Sequence, residues 1–180
     1  MGIIKIITEK NFDRLETPDK WDGYRIRHGA RAVLLDETSR IALMHVSKQN
    51  YYKLPGGGVD PGEDTEMALR RELLEEVGCT DINIITDLGE VYEYRDQWEM
   101  KAEHHGFIVK KSGDIISPSR TEKEIENGHE TVWVDGIDQA IKLVEFGKSF
   151  VDEYGQWFEI ERELAFLNKA KNAYFVKEKE

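Results

Sequence analysis

Cysteine is nearly absent. Cys79 is the one thiol in the chain, so an intramolecular disulfide and a cysteine-built zinc cage are both excluded. A reducing cytoplasm fits that usage. Long apolar runs are missing too, so no segment is expected to span a membrane and no membrane partner is expected. The opening MGIIKIITEKNF has no apolar core of the signal-peptide kind. Gly2 is present, but Ile6 stands where a myristoylation pattern needs a hydroxyl residue. Positive charge is in short supply: 25 Lys and Arg face 36 Asp and Glu, for a net charge of −11. A phosphate backbone needs a basic surface, so this balance argues against an extended nucleic-acid polymer as partner. A small nucleotide is not, because a bound cation inverts the local field.

At 180 residues, 39 % of them hydrophobic, the chain suffices for one domain with a proper core, over residues 1–180. An N-terminal arm over 1–23 begins with a short strand or ordered stretch at Ile3–Ile7 and continues as a polar loop over Asn11–Gly23 with Pro18 in it. Trp21 and Tyr24 are the aromatic exceptions there, suited to packing the arm down, stacking on a base or meeting a second subunit. Strands are expected at Ala30–Leu35, Ile41–Val46, Tyr51–Leu54, Ile82–Thr86, Leu88–Tyr94, His104–Lys110 and Thr131–Val134. Ser112–Asp114 reads as a turn and Ile115–Glu122 as a loop. Helices are expected at Thr65–Val77, Ile137–Phe146 and within 150–175, where Trp157, Ile160, Leu164 and Leu167 form the apolar stripe and Gly155 marks a kink or the true start. Lys177–Glu180 reads as a frayed tail. Mixed strands with late helices make an α/β or α+β layered domain.

The stretch Gly56–Cys79, GGGVDPGEDTEMALRRELLEEVGC, carries the chemistry. Its glycines, Gly57 and Gly58 among them, let backbone approach a substrate closely. Asp60-Pro61-Gly62 is a turn, Asp64 an N-cap and Gly78 a C-terminal glycine, so a helix lies between them. Leu69, Leu73 and Val77 stack on one side, flanked by Met67 and Leu74. Glu72, Glu75 and Glu76 share an adjacent arc, where they repel one another unless something positive sits among them. Oxygen ligands alone suit Mg²⁺ or Mn²⁺ better than zinc.

From Gly57 the spacing runs through Glu63, Arg71-Glu72-Leu73, Glu75-Glu76 and Gly78 to Cys79, and it resembles the signature of the Nudix hydrolases at every defined position. Cys79 stands where that family has an aliphatic residue, and a buried thiol behaves as a small hydrophobe. The resemblance implies a mixed β-sheet between helices, with the signature forming loop, helix and loop. It implies metal binding by Glu72, Glu75, Glu76 and the Gly57 carbonyl, activation of water by one of these glutamates, and an orienting ion pair between Arg71 and Glu63. The implied reaction is metal-assisted attack of water on phosphorus in a nucleoside diphosphate linked to a moiety X.

A general base outside the helix is sought among Glu122, Glu124, Glu126 and Glu130, with Glu126 ranked ahead of Glu130 and both ahead of the other two. His129 is a further candidate in that stretch. His104 and His105 are adjacent on a strand and point to opposite faces, so they do not form a metal pair. Tyr92, Tyr94, Trp98 and Phe107 are candidate base-stacking rings, and Tyr94 lies at the distance from the signature where dinucleoside-polyphosphate hydrolases carry a tyrosine. The reading is a cytoplasmic, Mg²⁺-dependent hydrolase of a small nucleotide, compatible with a homodimer. Its rivals are a non-catalytic nucleotide sensor and an enzyme for non-nucleoside phosphates.

Overall fold

The computed structural model describes residues 2–12 and 21–175. The expected Asn11–Gly23 loop lies partly outside the described residues, and the Lys177–Glu180 tail wholly so. Among the described residues the strands are β1 (Ile3–Ile7), β2 (Arg25–Leu35), β3 (Ile41–Val46), β4 (Tyr51–Lys53), β5 (Ile82–Arg95), β6 (Met100–Lys111) and β7 (His129–Val134). The helices are α1 (Thr65–Val77), α2 (Glu122–Glu126), α3 (Ile137–Gly147) and α4 (Tyr154–Ala170).

The sheet runs β1-β5-β6-β2-β3-β4, with β7 paired to β3. It is mixed: β1 with β5 and β2 with β6 are parallel, and the other pairs are antiparallel. From Gly29 onward β2 is buried throughout, as a central strand covered on both faces must be. The side-chain period of two then sorts its residues. Ala30, Ala32 and Leu34 meet Leu69, Leu73 and Val77 of α1 on one face. Val33 and Leu35 meet α3 and α4 on the other, with Val144, Phe158, Phe166 and Leu167. The mixed sheet between helices is therefore present, with α4 as the C-terminal cover.

Four expectations change. Residues 82–95 form one strand, not two; the interruption is a pair of register shifts near Thr86 and Leu88, which are bulges and not a turn. β6 begins at Met100, four residues before the expected His104, because Met100 and Ala102 alternate inward while Lys101 and Glu103 do not. The stretch read as loop ends in the one-turn helix α2, held by a capping box between Thr121 and Glu124. In α4 Ile160, Leu164 and Leu167 are buried as expected, Trp157 is only half-buried, and Arg162 and Glu163 are buried beside them. Gly155 sits one residue inside the start of α4, and the helix runs on into a π-turn over Lys171–Phe175.

The residues after the undescribed segment are fastened to the sheet. Trp21 stacks on Tyr94 with ring centroids 3.9 Å apart, and the Tyr24 hydroxyl donates to Asp96 at 3.0 Å.

Candidate active site

Helix α1 begins and ends where cap chemistry says it should. The Asp64 carboxylate accepts the Met67 N–H at 2.8 Å, and Gly78 takes the left-handed conformation with φ of 79°. Its Leu69–Leu73–Val77 stripe docks on β2, which turns the glutamate arc toward the glycine loop. The backbone end of the helix is pinned as well: the Glu76 carbonyl accepts from Arg120 at 2.7 Å and from the Thr131 hydroxyl at 3.2 Å.

The glycine loop lies along β2. Pro55 and Gly57 carbonyls accept the Ala32 and Ala30 amides, and Gly29 and Gly58 form a β-bridge. Gly56 holds φ of 129°, and a Cβ there would come within 2.2 Å of the Ala30 carbonyl oxygen, so only glycine fits. Its N–H donates to Glu76 Oε2 at 2.7 Å. The Gly57 carbonyl, named above as a cation contact, already accepts from Ala30 and from Arg31 Nη1, both at 3.0 Å. It would have to exchange the Arg31 donor to contact a cation. Burial and the charge of Arg162 pull the Arg31 guanidinium below its ordinary value.

Arg71 joins loop and helix. Its fork meets Glu63 through Nε at 2.8 Å and Nη2 at 3.0 Å, and Nη2 also donates to the Gly58 carbonyl at 2.9 Å. Nη1 reaches Glu72 at 2.9 Å and Glu75 at 3.2 Å. The Arg71 bonds, with the Asp60 amide, hold Glu63 down at about 2. Glu72 moves the other way: burial pushes its carboxyl up and Glu76 adds to this, against the Arg71 bond.

Glu76 is 2 % exposed, and Lys53 Nζ stands 3.5 Å from its Oε1. Lys53 was not singled out in the sequence; it ends β4 just before the glycine loop, and only strand pairing brings it here. Glu124 and His129 complete the group: one ligand atom from each of Glu76, Glu124 and His129 lies within 4.8 Å of the others. Of the four loop carboxylates, Glu124 is the one the structure brings into this group. Glu126, placed first, is exposed on α2 and outside this group, and so is Glu122. Glu130, placed second, pairs with His45 at 3.6 Å. The reason is the α2 capping box: Thr121 fixes Glu124 Oε2 at 2.8 Å and turns that residue inward. Burial raises the Glu124 carboxyl, yet the Thr121 bonds and the Lys53 and His129 charges bring it below its usual value. Burial, with Lys53 beside it, lowers His129 to about 4, so the imidazole is neutral at pH 7. Its Nδ1 is buried without a hydrogen-bond partner.

These donors fit a hard divalent cation: buried or half-buried carboxylates, a neutral imidazole with a free nitrogen, and an arc of three glutamates set against two cations, Arg71 and Lys53. Other candidates lie elsewhere. Trp21 stacks on Tyr94 and so occupies one face of that ring. Phe107 belongs to the α1-side core, and Tyr92 carries Lys101 4.4 Å above its ring. His104 and His105 do face apart, the first to Arg162 and the second to Asp87. Cys79 is buried, donates to the Asp81 carbonyl at 3.3 Å, and burial pushes its thiol up.

Comparison with known proteins identifies the family and the fold. The family model for the NUDIX domain matches residues 25–158. The RNA pyrophosphohydrolase of Sulfurovum sp. (strain NBC37-1) is 46 % identical over 46 residues, which is 26 % of this chain and 29 % of that protein. The chain spans about a quarter to a third of the length of the curated relatives it matches. Among solved structures, a C. elegans Ap4A hydrolase binary complex covers 84 % of this chain and 98 % of its own at 17 % identity, with a TM-score of 0.56. A MutT protein from Methanosarcina mazei Go1 covers 78 % and 94 % at 20 % identity, with a TM-score of 0.51. At these identities the solved structures speak for the fold.

Proposed function

The chain belongs to the Nudix family, and from that premise we propose that it hydrolyses a phosphoanhydride bond in a nucleoside diphosphate linked to a further group X. The observation that carries the reading is the convergence on Glu76: a buried carboxylate tied to the glycine loop by the Gly56 amide, with Glu124 and His129 beside it. The pyrophosphohydrolase and Ap4A hydrolase names of its relatives support the same class of bond.

Glu72, Glu75 and Glu76 would hold Mg²⁺ or Mn²⁺, with His129 as a nitrogen donor at its edge. Bound there, the cation supplies water of lowered pKa and neutralises charge on phosphate oxygens. The protein's own residues do the rest. Arg71 binds Glu63, Glu72, Glu75 and the Gly58 carbonyl, and so sets helix and loop in one position. Glu124, whose Oε2 is held by Thr121, keeps Oε1 to take a proton from the attacking water. Positioning of this kind is most of what phosphoryl transfer asks of a protein.

The test is an assay with Mg²⁺ over deoxynucleoside triphosphates, ADP-ribose, NADH, nucleotide sugars and diadenosine polyphosphates, with products identified. Metal-dependent release of a nucleoside monophosphate from at least one is expected. Tight binding of a nucleotide with no turnover of any would overturn the reading in favour of a sensor.

A further inference from the structure

On the sheet face away from α1, strands β2, β5 and β6 and helix α4 enclose a cluster of charged side chains. Arg31, Glu93, Arg95, His104, Arg162 and Glu163 are each 7 % exposed or less. Most are matched. Glu93 accepts from Arg95 Nε at 2.7 Å and Arg162 Nη1 at 3.0 Å, and Glu163 accepts from Arg162 Nη2 at 2.6 Å. Arg162 Nη1 also lies 3.2 Å from His104 Nε2. A guanidinium only donates, so Nε2 accepts and the imidazole proton is assigned to Nδ1.

Two buried donors, and one buried acceptor, Glu163 Oε2, are then left over. His104 Nδ1 and Arg31 Nε have no hydrogen-bond partner, and Arg31 Nε stands 3.8 Å from Glu163, beyond bonding distance. Both residues line a cavity of about 50 Å³, walled also by Arg27, Arg95, Arg162 and Glu159. A single water needs roughly 10–15 Å³, so a larger group has room. Gly29 helps keep that room: a Cβ on it would sit 2.5 Å from His104 Nδ1 and 3.1 Å from the Gly57 carbonyl oxygen. Arg27 is exposed, has no ion pair among the described residues, and stands 3.6 Å from where a Gly58 Cβ would be. Arg31 closes the link, since its Nη1 binds the Gly57 carbonyl. The cavity therefore abuts the glycine loop.

A network that only fastened α4 to the sheet would have no use for leftover donors, an unpaired arginine and a void between them. The charge has the same sense. Four guanidiniums, of Arg27, Arg31, Arg95 and Arg162, face three carboxylates, of Glu93, Glu159 and Glu163, and Glu159 is itself engaged by the Tyr51 hydroxyl at 2.9 Å. Guanidinium forks and an N–H converging on one small space match a tetrahedral oxyanion.

We propose that this cavity is a phosphate subsite, which takes a phosphate group carried by X, the part of the substrate beyond the bond that is cleaved. Its role as a substrate subsite rests on the hydrolytic reading above; its affinity for phosphate does not. The metal-free protein is titrated with inorganic phosphate by calorimetry, beside Arg27→Ala and with acetate as a second ligand. Saturable phosphate binding is expected, weakened tenfold or more in Arg27→Ala, with acetate much weaker. No saturable binding, an unchanged variant, or equal binding of acetate would overturn the subsite. With Mg²⁺, two nucleoside diphosphate derivatives differing only by a phosphate on X are then compared. The phosphorylated one should be favoured at least tenfold in kcat/KM, and Arg27→Ala should remove the preference through KM with kcat kept. Equal use of the two overturns the assignment to X. If no nucleotide of the panel above is hydrolysed, the hydrolytic reading fails and the titration alone decides the phosphate site.

Discussion

Gly57 and Glu72 touch. A Cβ built on Gly57 would lie 2.0 Å from Glu72 Oε1, so the glycine loop and the helix carboxylate share a surface with no room for a methyl group. Gly57→Ala should push Glu72 off its position while leaving the fold intact. A displacement of about an ångström at such a site is worth on the order of 10²-fold in rate. Circular dichroism and steady-state kinetics on the variant check this: an unchanged spectrum with a large loss of kcat is expected, and unchanged kcat would mean that the placement of Glu72 does not matter.

His104 gives the protein a pH dependence of known sign. Burial, with the Arg162 charge behind it, lowers this histidine to about 3. In the unfolded chain it titrates near 6.5. Between those values the unfolded state binds the extra proton, so stability rises with pH. The contribution is complete above about pH 6.5 and is lost as pH falls toward 3. In His104→Gln the slope of unfolding free energy between pH 6.5 and pH 5 should flatten by up to about 1.4 kcal/mol per pH unit, the value of one proton. Urea denaturation at several pH values measures it, and equal slopes in the two proteins would contradict it.

The loop before β7 makes a comparison within one short stretch. Glu124 lies with Glu76 and His129, whereas Glu122 and Glu126 are exposed outside that group and Glu130 pairs with His45. Glu124→Gln should lower kcat by about 10²-fold or more, the scale of general base catalysis. The same change at 122, 126 or 130 should leave kcat near that of the wild type. A large loss confined to Glu126→Gln would restore the order suggested by sequence.

What could be read from the sequence was local. Asp64 and Gly78 bound α1 to the residue because caps act within one turn, and the glutamate arc follows from helical geometry alone. The Thr121–Glu124 capping box was equally local; its sequence pattern announces α2 and turns Glu124 inward, though four glutamates in a row of charges invite ranking by flexibility instead. Lys53 was not legible, since its approach to Glu76 depends on how β4 is held beside α1. Arg162 and Glu163 were hidden for a different reason. Charged residues at helical spacing read as a solvated face, and the burial of this pair is set by partners on β2, β5 and β6 far away in the chain.

The central claim is that Glu76 anchors the catalytic cation, and Glu76→Gln tests it most directly. Glutamine keeps an oxygen to accept the Gly56 N–H, now at 2.7 Å from the carboxylate, so the fold and the metal-free melting temperature should stay close to those of the wild type. Turnover of the best substrate from the panel is then measured with Mg²⁺ alongside calorimetric Mg²⁺ titration. The account predicts near-abolished turnover and weakened Mg²⁺ binding in a folded protein. A folded Glu76→Gln protein with wild-type turnover would contradict it.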